Sequence, residues 1–150
     1  MAITNIPDED HVLRLVSWQR VRKDEDDNVT GILGEAFRRK PDEDALSVNW
    51  QERVTGALID QLRAAARLIR DTQESKKIGA KSRLARLQVK ATKEIAKKRG
   101  AKIRIVHEPV DGNEPHAAIR QLPDDDLELL EMIASEVVVD HHQCGPLLQP

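Results

Sequence analysis

The sequence predicts an α+β protein in which a small, mostly antiparallel sheet of about four strands is covered by about three helices. Two observations carry this expectation. The apolar residues switch between a period of two and a period of three to four along the chain. The 150 residues are 39% hydrophobic and 33% charged, with only Trp18, Phe37 and Trp50 aromatic, so one aliphatic core is expected and stacking platforms for single-stranded nucleic acid are nearly excluded.

In chain order, residues 1–10 carry Pro7 and three consecutive acids and read as a flexible lead-in. His11 to Ser17 is an apolar run expected as a strand, and Val29 to Leu33 follows the acidic turn Asp24 to Asn28 as a second, short one. Ala45 to Trp50 alternates, with Leu46, Val48 and Trp50 on one face and Ser47 and Asn49 on the other. From Val54 the spacing of Val54, Leu58, Leu62, Ala65 and Ile69 predicts an amphipathic helix over 52–73. A second helix is expected over 83–99, ended by Gly100, with Lys97, Lys98 and Arg99 in its last turn. Residues 101–107 alternate again as the fourth strand, and a short helical piece is expected at 116–121. Acids crowd the start of a third helix over 124–139. Residues 141–150, with Gly145 and two prolines, read as a flexible tail, leaving 11–140 as one domain.

The net charge of −2 conceals a strong segregation. Residues 76–104 hold twelve bases and one acid, whereas the segment after 104 holds one base and ten acids. Such blocks either neutralise each other within the fold, meet a charged partner, or join copies of the chain.

The segments His11-Val-Leu-Arg14, Ala36-Phe-Arg38, Leu46-Ser-Val-Asn-Trp50, Ile103-Arg-Ile-Val-His-Glu-Pro109, Pro115-His-Ala-Ala-Ile119 and Leu122-Pro-Asp-Asp-Asp-Leu-Glu-Leu-Leu130 occur in that order. Together they resemble a group of small uncharacterised bacterial proteins over roughly residues 8–139. The resemblance implies no established activity.

Within the expected 83–99 helix, Arg83, Arg86, Lys90, Lys93 and Lys97 fall within an arc of about 80° and span roughly 21 Å. With Lys98 and Arg99 they form the candidate surface for nucleic acid or an acidic protein partner. His11, Arg14, His107 and His116 are the candidate catalytic set: imidazoles move protons near neutral pH, and a guanidinium forks a carboxylate or phosphate. Strand parity opposes it, since His11 and Arg14 point to opposite faces and His107 shares a face with Ile103 and Ile105. Three other ligand-like residues, His141, His142 and Cys144, lack zinc spacing, so no metal and no cofactor are expected.

The leading expectation is a non-enzymatic, cytoplasmic binding or accessory module that uses the cationic 76–104 block to hold nucleic acid or an acidic protein. The alternatives are a small hydrolase or transferase working through His11, His107 and His116, and a structural subunit that self-associates through its acidic and basic blocks. No apolar run has the length of a membrane span, so no membrane partner is expected.

Overall fold

The computed structural model describes residues 4–72 and 78–150. Lys76 and Lys77 of the cationic block and residues 1–3 of the lead-in lie outside the described residues. The class is α+β, but the sheet is much larger than the four strands expected. A seven-stranded antiparallel sheet runs in the order β1 (Thr4–Asn5), β7 (Arg104–His107), β8 (His116–Arg120), β5 (Ala45–Trp50), β2 (His11–Val16), β6 (Arg83–Gln88) and β9 (Val138–Gln143). A separate two-stranded ribbon pairs β3 (Val21–Lys23) with β4 (Val29–Ile32), so the second expected strand does not join the main sheet.

Four strands of the main sheet escaped the sequence reading, each for a physical reason. Arg83-Leu-Ala-Arg-Leu-Gln88 has the three-residue leucine spacing of a helix, yet it is an inner strand with apolar layers on both faces. Leu84 packs on one side and Ala85 and Leu87 on the other, so burial on both faces removes the simple alternation. His116-Ala-Ala-Ile-Arg120, expected as helical, is an inner strand for the same reason, with its central three residues buried. Thr4–Asn5 adds an edge strand on β7, and Ile6 beside it is buried in the core. The expected tail instead forms β9 on the opposite edge and the short helix α4 (Cys144–Leu148), which buries Cys144 and Leu147.

The helices are shorter than their apolar patterns. Helix α1 (Leu58–Thr72) begins six residues later than expected, because Gly56 at φ +113° adopts a backbone that only glycine tolerates. The expected 83–99 helix is only its second half, α2 (Val89–Lys98). The expected 124–139 helix is α3 (Leu127–Met132), capped by the Asp126 carboxylate accepting from Leu129 N at 3.1 Å. It widens into a π-turn over Ile133–Val137 before the chain enters β9.

Two apolar layers sandwich the sheet. Val12, Val16, Leu46, Val48, Leu87, Ile105 and Ile119 face α2, α3, the ribbon and the 3₁₀ turn Gly34–Phe37. On the opposite face, Leu13 and Leu84 pack with Leu62, Ala65, Ala66 and Ile69 of α1 and with Leu147 of α4. Among the described residues no helix is long and apolar enough to cross a membrane.

At the β6–β9 edge Arg86 makes a two-pronged contact with Asp140, Nε to Oδ1 at 3.0 Å and Nη2 to Oδ2 at 2.8 Å. That guanidinium, with help from His142, holds the Asp140 carboxyl down to about 2. An unfolded aspartate titrates near 3.8, so the contribution is fully present above about pH 4 and is lost as pH falls towards 2. The carboxylate is over a third exposed, so screening reduces the worth of the pair to about 1 kcal/mol. Urea unfolding of the wild type and Asp140→Asn should therefore differ by about 1 kcal/mol at pH 6 and by roughly a third of that near pH 2.5. A difference unchanged between those pH values would remove the pair from the acid response.

Candidate functional site

The seven cationic candidates do not form one helical stripe. Arg83 and Arg86 lie on β6, three residues apart and so on opposite faces of the sheet. Arg86 is held by Asp140, while Arg83 Nη1 donates to His141 Nδ1 at 3.0 Å, a contact that requires an unprotonated Nδ1. Burial, followed by the Arg83 charge, lowers the His141 pKa. Lys93 pairs with Asp8, and Arg99 reaches Asp126 at 2.9 Å and Glu128 at 3.5 Å. The acidic start of α3 thus neutralises part of the basic block within the chain.

What remains cationic is a compact ridge on α2 and the turn after it. Val89, Thr92, Ile95 and Ala96 face the core, which leaves Lys90, Lys97 and Lys98 on the solvent side with Glu94 as the single acid among them. Lys90 and Glu94 are 4.0 Å apart and both exposed, a weak pairing. Gly100, at φ +79°, ends the helix and turns the chain so that Lys102 adjoins the ridge. Lys93, Lys97 and Lys102 border a shallow groove of about 550 Å³ floored by Ala101 and Ile103. Lys102, absent from the sequence-derived candidates, is brought there by this turn.

The imidazoles are dispersed. His11 Nδ1 contacts Glu52 Oε2 at 2.7 Å, and the other oxygen of that carboxylate accepts from the His11 backbone N at 2.7 Å. His107 lies against the edge of the Trp50 ring, centroids 5.2 Å apart, and its Nε2 donates to Glu114 O at 2.8 Å. His116 pairs with Asn49 and His107 with Ala117, which places His107 and His116 on opposite faces of the sheet. His116 Nδ1 lies 2.7 Å from Glu108 O. A carbonyl can only accept, so Nδ1 carries a proton in this contact.

Arg14 and His116 both border one cavity, but from opposite faces of the sheet, Arg14 sharing its face with Val12 and Val16 and His116 sharing its face with Asn49. Strands β2 and β5 are paired only at Val12 with Trp50 and Leu13 with Asn49, although β2 continues to Val16 and β5 begins at Ala45. The sheet is therefore split at its centre, and Arg14 bridges the split: Nε donates to Ala36 O at 2.8 Å and Nη1 to Ser47 O at 2.9 Å. Burial, with Arg20 nearby, pushes its pKa down to about 10 against the opposing pull of Glu43. Over the split lies a cavity of about 400 Å³ whose polar lining includes Arg14, Ser47, Asn49, Asn113 and His116. Asn49 and Asn113 are buried and exchange two hydrogen bonds, 2.9 and 3.0 Å, which hold the β7–β8 connection against β5. Gly112, at φ +81°, closes the connection onto α1, where a Cβ would stand 2.9 Å from Thr72 Cγ2. Asn113 gave no sequence signal, because a turn asparagine is ordinary and its partner is 64 residues away.

His141, His142 and Cys144 do not converge. His142 Nε2 contacts Asp140 Oδ1 at 2.8 Å, His141 meets Arg83, and burial pushes the Cys144 thiol up to about 12. Among the described residues no group of three or more His, Cys, Asp or Glu is placed to hold a metal ion. No family model, curated protein or solved structure matches this chain.

Proposed function

We propose that this chain is a non-enzymatic binding module that holds the phosphate backbone of a nucleic acid on the lysine ridge of α2. The observation that carries the reading is the ridge itself: Lys90, Lys97, Lys98 and Lys102 are exposed, and the last three have no ion-pair partner among the described residues. Long, flexible ammonium side chains without planar forks or aromatics suit phosphate contact rather than base reading, so sequence preference is weak.

Four phosphate contacts give a logarithmic salt slope of about −3 to −4 on duplex DNA, since each neutralised phosphate contributes about −0.9. Replacing Lys97 and Lys98 together by Gln keeps good helix formers and lowers the slope by roughly two, whereas Arg86→Gln leaves it unchanged. A salt titration with a duplex DNA and a duplex RNA measures both. Failure of either duplex to bind at low salt, while an acidic protein is retained through the same lysines, replaces nucleic acid with a protein partner. Binding that survives loss of Lys97 and Lys98 overturns the ridge altogether.

A further inference from the structure

A second cavity, of about 550 Å³, lies against the start of β6, whereas the lysine ridge follows its end. One wall is the sheet. Val16 pairs with Arg83, Arg83 with Gln143 and Ala85 with His141, so Arg83, Gln143 and His141 share the face of Val16 and Ala85, which is the α3 side. Trp18, just beyond Val16, and Lys81, just before Arg83, prolong that wall and meet each other, with Lys81 Nζ 5.1 Å from the centre of the Trp18 ring. The remaining lining, Asp27, Asn28 and Val29, comes from the β3–β4 turn and the start of β4. The cavity thus occupies the space between the sheet and the ribbon.

The donors on the sheet wall are only partly used. Arg83 Nη1 is taken by His141 Nδ1, Nε is buried without a partner, and Nη2 has no protein acceptor among the described residues and is not shut away from solvent. The guanidinium can only donate, so the His141 ring is neutral and carries its proton on Nε2, which also has no protein acceptor among the described residues. No carboxylate oxygen of those residues comes within 4.0 Å of Lys81 Nζ or the Arg83 guanidinium. Asp27 is the one acid in the lining, and Asp24 beside it is turned into its own loop, accepting from Asp26 N and Asn28 N at 2.9 Å each. The amide nitrogens of Asn28 and Gln143 are spent on Asp24 and Ala80 O, which leaves their carboxamide oxygens as acceptors.

From this juxtaposition we infer that the cavity binds a small phosphate monoester with an uncharged, hydroxylated body. Arg83 Nη2, Lys81 Nζ and His141 Nε2 supply donors for the three terminal phosphoryl oxygens, and the two permanent charges match a group of about −1.5 to −2. A diester or a carboxylate carries a single charge and leaves one cation uncompensated. The hydroxyls of the body donate to Asn28, Gln143 and Asp27. Glu25, Asp26 and Asp27, all in one turn, repel a polyanion, so a free ester is favoured over the phosphorylated end of a nucleic acid strand.

The probes are glycerol 3-phosphate, ethyl phosphate, diethyl phosphate and a 5′-phosphorylated thymidine dinucleotide, each titrated into the full chain and followed by calorimetry and backbone amide NMR shifts. The expected result is saturable binding of glycerol 3-phosphate, with shifts at Asn28, Arg83 and His141. Ethyl phosphate, which lacks the hydroxyls, and diethyl phosphate, which lacks the second charge, should bind more weakly, the diester by about tenfold or more. Lys81 is exposed, so Lys81→Gln should fold as the wild type does and weaken glycerol 3-phosphate about tenfold by removing one charge-assisted hydrogen bond. Asp27 stands at φ +62°, a backbone that asparagine also tolerates, so Asp27→Asn keeps the turn. It should tighten binding of ethyl phosphate about two- to threefold, the effect of removing one like charge across a solvated gap. The Lys97→Gln, Lys98→Gln protein should bind glycerol 3-phosphate as the wild type does, which separates this site from the ridge. The inference is overturned if glycerol 3-phosphate does not bind at about 10 mM, if ethyl or diethyl phosphate binds as tightly, if folded Lys81→Gln binds as the wild type does, or if the dinucleotide binds more tightly than the small ester.

Discussion

Phe37→Ala is expected to remove about 3–5 kcal/mol of stability, the usual cost of truncating a fully buried phenylalanine. Phe37 is the chain's only phenylalanine and is 1% exposed, at the end of the 3₁₀ turn Gly34–Phe37 beneath α3. Collapse of the surroundings into the space is opposed by the way that turn is pinned. Gly34 N donates to Glu131 Oε1 at 2.6 Å, and the other oxygen of Glu131 accepts from Arg22 at 2.9 Å, which ties the turn to α3 and the ribbon. The carbonyl of Ala36 receives Arg14 from β2. A Cβ on Gly34 would stand 2.7 Å from Glu131 N and 2.9 Å from Leu130 C, backbone atoms that cannot swing aside. The turn therefore has no slack with which to fill a cavity, and the upper part of the range is expected. Gly34→Ala should cost about 1–3 kcal/mol for the same reason. Urea unfolding measures both. Since a domain has only about 5–15 kcal/mol in total, a loss below 1 kcal/mol for Phe37→Ala would show that the turn relaxes freely.

The sequence made legible those elements whose two faces differ. β5 alternates Leu46 and Val48 against Ser47 because one side meets α3 and the other borders a cavity, and α1 shows its stripe because its outer side meets solvent. Parity with Ile105 puts His107 on the core-facing side of β7, where it lies against Trp50. Illegible were the segments for which burial does not alternate. Leu84, Ala85 and Leu87 in β6 and Ala117, Ala118 and Ile119 in β8 are buried whichever way they point, so periodicity carries no strand signal there. The misreading of β6 propagated directly into the candidate site. A helix would have aligned Arg83 and Arg86 with Lys90, whereas a strand sends them to opposite faces and into the reach of His141 and Asp140. That Arg14 and His116 border one cavity was likewise not legible, since it depends on β5 lying between β2 and β8 and on β5 pairing with β2 only at Asn49 and Trp50.

A double-mutant cycle on Asn49 and Asn113 should show a coupled pair rather than two independent contacts. Both side chains are nearly fully buried, 2% and 3% exposed, and each carboxamide donates to the other's oxygen. Asn49→Ala removes two hydrogen bonds and leaves the Asn113 amide with a buried donor and acceptor unpaired, a cost of about 2–3 kcal/mol, and Asn113→Ala does the reverse. With both replaced, neither orphan remains. The double variant should thus be more stable than the sum of the single losses predicts, by about 1–2 kcal/mol. The asymmetry follows from desolvation: a paired amide in a buried site is nearly neutral relative to an apolar replacement, whereas a single unpaired amide retains the whole penalty of leaving water. This pair is also what fastens the β7–β8 connection over the split sheet, since Asn113 precedes β8 and Asn49 is the β5 residue at which the pairing with β2 begins. The single variants should accordingly raise amide exchange at Val110 and Asn113, whose backbones hydrogen-bond each other at 2.9 and 3.2 Å, before they affect β2 and β6. Strict additivity in the cycle, or exchange that rises uniformly through the sheet, would show that the connection is held by its backbone turn and not by the amide pair.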